Sequence, residues 1–480
     1  MQVIKRDGRI VPYERKKIEQ AMAKAFAQVN KAISAEELSA LVDHVEARFS
    51  DAHELSVEAI QDRVELQLME ADHYEVAKSY ILYREERRKK RMIRSRLESY
   101  FPEVPVLHDV LLAIEDAFRD DIYDLRHLLY KFESFYKEGK SVTERMEALI
   151  HAAIELTDEE ATRWEFIAAR FYGIQYHQRL EKTWQKRIAE GKVPGIDHPR
   201  TLRFSEKLRS MHAEGLYGDE VLEHYTAEEL EEAAGWIDES ADLLFNYSGY
   251  DLLVNRYVVR SFDLEPLETI QEMMLGIALF LAIPEKERRT YWAKEFYLML
   301  SSLKVTMATP TLANARKPFH QLSSCFIDTV PDDLKGIYRS ITNFANVSKF
   351  GGGMGLYFGK VRAAGASIRG FKGAAGGVIR WVRLANDTAV AVDQLGVRQG
   401  AVAVYLDCWH KDVPEFLQLR TNNGDDRMKA HDVFPAICYP DYFWEQVETN
   451  MEGQWGLLDP HEILTVKGYA LEDSYGKEWT

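Results

Sequence analysis

Apolar positions recur along this chain with two different periods, and the change from one to the other divides it. The front is helical in spacing: Ile18, Met22 and Phe26 fall on one face, as do Ile60, Val64, Leu68 and Met69. Ahead of them, residues 3–10 read as a tight hairpin. Two short apolar pieces flank Lys5-Arg6-Asp7-Gly8, and Asp-Gly is a strong turn signal. A charged run at 84–91 closes this unit and reads as a solvated helix end. The pattern then repeats. HYEVAKSYILY at 73–83 and RWEFIAARFY at 163–172 each follow an amphipathic helix ending in acidic residues. Two related small helical domains are expected, over 1–95 and 96–190, the second without the basic hairpin and therefore suited to packing rather than binding.

Residues 192–200 are polar and hold Gly and Pro, as a linker would. Helical periodicity returns over 200–305, with Trp236, Leu243, Leu244, Leu275, Leu279 and Trp292 as expected core. The longest apolar run, 273–283, is too short to span a bilayer and reads as a buried helix. From 306 to 480 glycines and β-branched residues rise, and short strand candidates such as 402–406 alternate with helices. Leu334, Ile337, Ile341 and Phe344 share one helix face, with Asp332 as the expected N-cap. This alternation predicts an α/β region of parallel strands with crossover helices.

Composition narrows the function. At 46% hydrophobic residues over 480 positions the chain can bury a large core. A formal net charge of −16 argues against broad nucleic-acid binding, while local basic clusters can still hold a small anion such as a nucleotide. Three cysteines, Cys325, Cys408 and Cys438, are too few for a disulfide framework and suit a reducing, cytoplasmic setting. The first residues lack the apolar stretch of a signal peptide, and no membrane partner is expected.

Candidate chemistry concentrates between Thr309 and His410, in ATPTLANARKP, HQLSSCFI, KFGGGMGLYFGKVRAAGASIRG and QLGVRQGAVAVYLDCWH. Singly these pieces say little. GGGMG is a poor dinucleotide fingerprint, and Gly359-Lys360-Val361 lacks the hydroxyl a P-loop needs for Mg²⁺. In this order they resemble the large (α) subunit of class I ribonucleotide reductase, from about residue 200 onward, and the front end resembles the ATP-cone regulatory domain of the same family. The resemblance implies helical ATP-cone domains, a helical domain, and the first half of a ten-stranded α/β barrel made of two five-stranded halves. It implies reduction of ribonucleoside diphosphates to deoxyribonucleotides by thiol-based radical chemistry under nucleotide control.

Carried over residue by residue, Cys325 matches the catalytic cysteine of the first barrel strand, which ends in a disulfide with a second cysteine. Cys408 and Cys438 match no catalytic thiol and read as packing. Thr309, Ser324 and Gly353 match substrate-holding positions. Asp332, Asp333 and Leu334 match the start of a specificity-effector site, and Arg362 and Arg369 match its phosphate ligands, a role that suits guanidinium geometry. Residues 394–399 match the loop that reports effector identity, with Gln394 and Arg398 as base and phosphate readers. In the cone, Lys5, Arg6 and Lys17 match triphosphate ligands, whereas Val57 and Gln61 stand where some relatives carry Thr and His. The implied cofactors are ATP or dATP and deoxynucleoside triphosphate effectors, with a radical from a separate metal-containing β subunit and no metal on this chain. The implied partners are that β subunit, a second copy through the effector-site helices, and thioredoxin or glutaredoxin as reductant. The family's N-x-C-x-E motif, second redox cysteine and radical-relay tyrosines have no counterpart here. Either a truncated chain or a split protein with a complementing C-terminal half accounts for that. The alternative function is a nucleotide-sensing regulator without activity of its own.

Overall fold

The computed structural model describes residues 2–5, 8–49, 53–319, 321–394, 399–449 and 455–474. The chain divides into two compact units, Met1–Ile174 and Gln175–Thr480.

In the first unit the hairpin forms as expected. β1 (Gln2–Ile4) pairs antiparallel with β2 (Ile10–Pro12), and Gly8 takes the left-handed turn position at φ +80°. α1 (Arg15–Gln28) and α2 (Ala35–Ala47) follow, then β3 (Glu54–Ser56), which joins β1 in parallel. That third strand has too few residues to leave a periodic signal. Next come α3 (Val57–Glu70) and α4 (Tyr74–Ser99). Local chemistry sets the boundaries: Ser34 and Glu37 form a capping box on α2, and Ser56 caps α3. Arg15 ties α1 to α2 by donating to Asp43 at 2.6 Å and to the Ser39 hydroxyl at 2.9 Å. Ile18, Met22, Phe26, Ile60, Val64 and Leu68 are buried as expected, but Met69 is exposed.

The charged run 84–91 is not a helix end. α4 continues without a break through residue 95 to Ser99, because 92–99 (MIRSRLES) contains no breaker. The order of three short helices and a long one then returns as α5 (Leu107–Ala117), α6 (Leu125–Phe135), α7 (Val142–Ile154) and α8 (Trp164–Ala189). α4 and α8 both have 26 residues. Val76, Ala77 and Tyr80 in α4 and Ile167, Ala168 and Phe171 in α8 are buried at the same spacing. Among the described residues this second copy has no strands.

The second unit takes up the C-terminal half of α8, where the Trp184 indole donates to the Leu267 carbonyl at 3.1 Å. It continues with α9 (Phe204–Ala213), α10 (Glu220–His224), α11 (Ala227–Ala234), α12 (Tyr247–Arg256), α13 (Ile270–Ala282), α14 (Arg289–Ser301) and α15 (Thr309–Asn314). The apolar run is α13, and Leu275 and Leu279 lie in the core. Leu243 and Leu244 do not: they are exposed on a 3-10 turn, Glu239–Leu244. Trp236 and Trp292 are half-buried beneath Lys294 and Arg288. Among the described residues no helix is long and apolar enough to cross a membrane.

Beyond α15 the texture becomes α/β as predicted: β4 (Cys325–Thr329), α16 (Leu334–Lys349), β5 (Gly353–Tyr357), α17 (Ile379–Ala391), β6 (Val402–Asp407), α18 (Val413–Phe416), β7 (Val433–Cys438), α19 (Asp441–Glu448) and α20 (Pro460–Lys467). The strands form one parallel sheet in the order β4-β5-β6-β7. Instead of a full fifth strand, the described residues give one parallel bridge, His410 to Leu458. Met354, Leu356, Val402, Val404, Leu406 and Val433 face the helices and are buried. The other face is open, with Ile327 87% and Phe434 57% exposed. Parallel sheets normally bury both faces, so this face is the unusual one.

On α16, Ile337 and Phe344 are core and Leu334 is exposed. The N-cap is Asp333, whose carboxylate accepts Gly336 N–H at 2.8 Å. Asp332, the expected cap, is drawn instead to Arg362.

Arg316 and Glu268 form an ion pair with side chains 0% and 2% exposed. The guanidinium also donates to the carbonyls of Leu312 (2.9 Å) and Tyr257 (3.0 Å), and Glu268 accepts Val259 N–H at 2.7 Å. Glu268→Ala strands a buried cation, so it should cost roughly 3–5 kcal/mol. A urea titration checks this; a loss below about 1 kcal/mol would contradict the pair's burial.

Candidate functional site

The expected residues fall into three places. In the first unit, Lys5 and Lys17 line one cavity of about 210 Å³ walled by Val3, Ile18, Val57 and Ile60. Arg6 lies outside the described residues. Lys17, Gln61 and Tyr80 also line a second cavity, of about 350 Å³. Lys17, Lys24, Arg84, Arg87 and Arg91 face it, with no carboxylate among its described lining residues. Arg84, Arg87 and Arg91 reach it because positions i, i+3 and i+7 share one face of α4. Arg84 is steadied by Asp62 at 2.6 Å and Glu65 at 2.8 Å. An apolar slot adjoining a basic one suits a ligand with a flat ring at one end and anionic groups at the other. Sequence reasoning missed these arginines; the signal was their helical spacing inside the charged run.

The second place is the start of the sheet. Cys325 opens β4 on its exposed edge, in register with Gly353 on β5. Gly353 N–H donates to the Ser324 carbonyl at 2.8 Å, and the Ser324 hydroxyl lies 3.5 Å from the Cys325 sulfur. The lead-in is fixed by Asn314, whose amide donates to the carbonyls of Gln321 (2.9 Å) and Phe350 (3.1 Å). A Cβ added at Gly353 would meet only ordinary contacts, the nearest being the Ala401 carbonyl at 3.5 Å. Among the described residues nothing packs against that position closely enough to demand glycine. Thr309, at the start of α15, bonds the Tyr257 hydroxyl at 3.1 Å. Cys408 is buried and Cys438 half-buried. Burial first, and Asp407 second, push the Cys408 thiol up to about 12 and raise Cys438 as well. Both stay protonated and unreactive, in keeping with packing.

The third place is the stretch between β5 and α17. Asp332 and Arg362 meet: the guanidinium Nε donates to Asp332 Oδ2 at 2.8 Å, and Arg362 N–H donates to Oδ1 at 3.1 Å. That carboxylate holds the Arg362 pKa above its ordinary value. Arg369 stands apart at the exposed loop tip, at φ +50°. Gln394 is 3% exposed, and its amide donates to the Gly352 carbonyl at 3.1 Å while its buried Oε1 has no partner among the described residues. Gln394 thus abuts the turn before Gly353 rather than the arginines. Arg398 lies outside the described residues. Sequence reasoning also missed His410, Asp412 and Asp459, which bond the backbone of this stretch from a distance in sequence that leaves no local signal. Among the described residues no group of three or more His, Cys, Asp or Glu could hold a metal ion.

Three family descriptions match successive stretches of the chain. The ATP cone domain profile matches residues 1–89, the all-alpha domain of ribonucleotide reductase 243–320, and the ribonucleotide reductase barrel domain 323–480. A ribonucleoside-diphosphate reductase subunit alpha of Treponema pallidum is 54% identical over all of this chain and 56% of its own length. The subunit of the same name in Chlamydia muridarum is 34% identical over 100% of this chain and 47% of its own. That of Synechocystis is 38% identical over 72% and 42%. The chain spans about half the length of the curated relatives it matches. With three domains of one enzyme following each other in order, and relatives similar from end to end, the chain belongs to the ribonucleotide reductase large-subunit family.

Proposed function

We propose that this chain is the front portion of a ribonucleoside-diphosphate reductase large subunit, carrying nucleotide control and one of two reducing thiols. The observation that carries the reading is the pairing of Cys325 with Gly353 on the open sheet face, beside Ser324. A thiol there is exposed, and the glycine next to it leaves room for a ribose. Thr309, Ser324 and the Gly353 backbone would hold the substrate. Cys325 and a second thiol from outside this chain would together give two electrons and two protons. The ribose 2′-hydroxyl would leave as water and the two sulfurs would end as a disulfide. A separate metal-containing β subunit would supply the radical that starts this chemistry. A complementing C-terminal half would cover the open sheet face, where Ile327 and Phe434 are exposed.

In the cone, the slot beside Val57 and Ile60 suits adenine, and Lys5, Lys17, Arg84 and Arg87 suit the triphosphate of ATP or dATP. A deoxynucleoside triphosphate would bind a second site at Asp332, Asp333, Leu334, Arg362 and Arg369. The exposed Leu334 and Tyr338 of α16 would meet a second copy beside it. Gln394 and Arg398 would carry effector identity toward Gly352 and Gly353.

Two outcomes test this. In a complex completed by the remaining half and the β subunit, Cys325→Ser should abolish turnover with a dithiol reductant and leave nucleotide binding within about twofold, since it removes a redox thiol but little volume. Normal multiple turnover would refute the role of Cys325. Lys17→Ala and Arg87→Ala should each weaken ATP binding to the cone by roughly 1–3 kcal/mol through lost charge-assisted hydrogen bonds. Unchanged affinity by calorimetry would remove the basic cavity from the site.

A further inference from the structure

The two ends of the loop that carries Arg362 and Arg369 are bonded by one carboxylate from another part of the chain. Asp412, between β6 and α18, is 4% exposed. Its Oδ1 and Oδ2 accept Ala364 N–H at 2.9 and 3.2 Å, and Oδ2 also accepts Val378 N–H at 2.8 Å. One side chain thus joins the two ends of the loop. Inside that neck the backbone closes on itself: Gly365 N–H donates to the Ala375 carbonyl at 3.0 Å, and Ile368 and Phe371 bond each other across the tip. Arg369 sits in that tip at φ +50° and Gly370 follows at φ +84°.

The surroundings are built around the carboxylate. Gly377 lies at φ +76°, where an added Cβ would stand 2.5 Å from Asp412 Oδ2 and 2.8 Å from Ala364 N. His410, fully buried, accepts Asp412 N–H through Nδ1 at 3.1 Å and donates through Nε2 to the Val361 carbonyl at 2.9 Å. Asp459 accepts Ala363 N–H at 2.8 Å. A carboxylate suits the Asp412 position because it only accepts, and every group it meets there donates. An amide in its place would turn an N–H toward an N–H.

We propose that Asp412 is a positioning residue for the effector site, fixing the loop so that Arg362 and Arg369 meet a triphosphate without first ordering the backbone. This rests on the reading that the loop binds effector phosphates. Closing the neck in advance removes an entropic cost from binding, so the carboxylate strengthens the arginines without touching the ligand.

The experiment titrates the chain with dTTP by calorimetry and follows amide exchange across 361–378. Asp412→Asn should weaken dTTP about tenfold or more, speed exchange in 361–378, and leave ATP binding at the cone unchanged. Gly377→Ala, which intrudes on the same neck from the other side, should do likewise and serves if the first variant fails to fold. A double-mutant cycle with Arg369→Ala separates positioning from general loosening. If Asp412 acts by presenting Arg369, the two losses are less than additive. Additive losses, or unchanged dTTP affinity in both neck variants, overturn the positioning role alone. If Arg362→Ala and Arg369→Ala themselves leave dTTP affinity unchanged, the effector-site reading falls and takes the positioning role with it.

Discussion

The buried guanidinium of Arg316 fixes where the sheet of the second unit begins. It sits with no measurable exposure between Glu268, ahead of α13, and the carbonyls of Tyr257 and Leu312. Desolvating such a pair costs several kcal/mol per ion, and only near-complete hydrogen bonding recovers it. The chain supplies that, and it also makes room. Gly276, inside α13, has no side chain where a Cβ would come within 2.8 Å of Arg316 Cδ. A mid-helix glycine costs about 1 kcal/mol against alanine, a small penalty beside that of an unpaired buried cation. Two residues before Arg316, Asn314 ties the end of α15 to the start of the sheet through the carbonyls of Gln321 and Phe350.

Much of this was legible in the sequence because it is local. The hairpin follows from Asp-Gly between apolar pairs, and α13 from an unbroken apolar run. The alternation of strand and helix after residue 306 showed in glycine content and spacing. The misses have tertiary causes. Asp332 is the expected cap, but Arg362 claims its carboxylate and Asp333 caps the helix instead. Leu243 and Leu244 match a helical stripe but fall on a 3-10 turn that turns them outward. The charge of the run 84–91 suits a solvated end, but the helix formers at 92–99 carry α4 past it. The residues around the 361–378 loop could not be foreseen, since Asp412 and Asp459 reach backbone groups whose partners carry no side-chain signature.

Charge is used in opposite senses in the two units. In a chain of net charge −16, the first unit gathers Lys17, Lys24, Arg84, Arg87 and Arg91 around one cavity. In the second, aspartates spend their charge on backbone N–H groups: Asp333 at a helix start, Asp412 and Asp459 at a loop. Acidic composition is therefore compatible with two anion-receiving surfaces, one made of side chains converging on a cavity and one of arginines on a loop that carboxylates shape from behind.

The helix α16 has a consequence of a different kind. Its cap is Asp333, next to Asp332, and its far end turns through Gly351 and Gly352 into Gly353. Its 16 residues span about 24 Å at 1.5 Å per residue. Both ends are pinned, one by Asp332 to Arg362, the other by Ser348, which donates to the Val392 carbonyl at 2.8 Å. Such a helix works as a ruler. Its outward side chains, Leu334 and Tyr338, are exposed and do not set its length. One inserted or deleted residue would rotate everything beyond it by about 100° and swing Ile337 or Phe344 out of the core. Among homologous chains this stretch should therefore vary in letters but not in length, so that a gap placed within it by an alignment marks an alignment error before it marks a real difference.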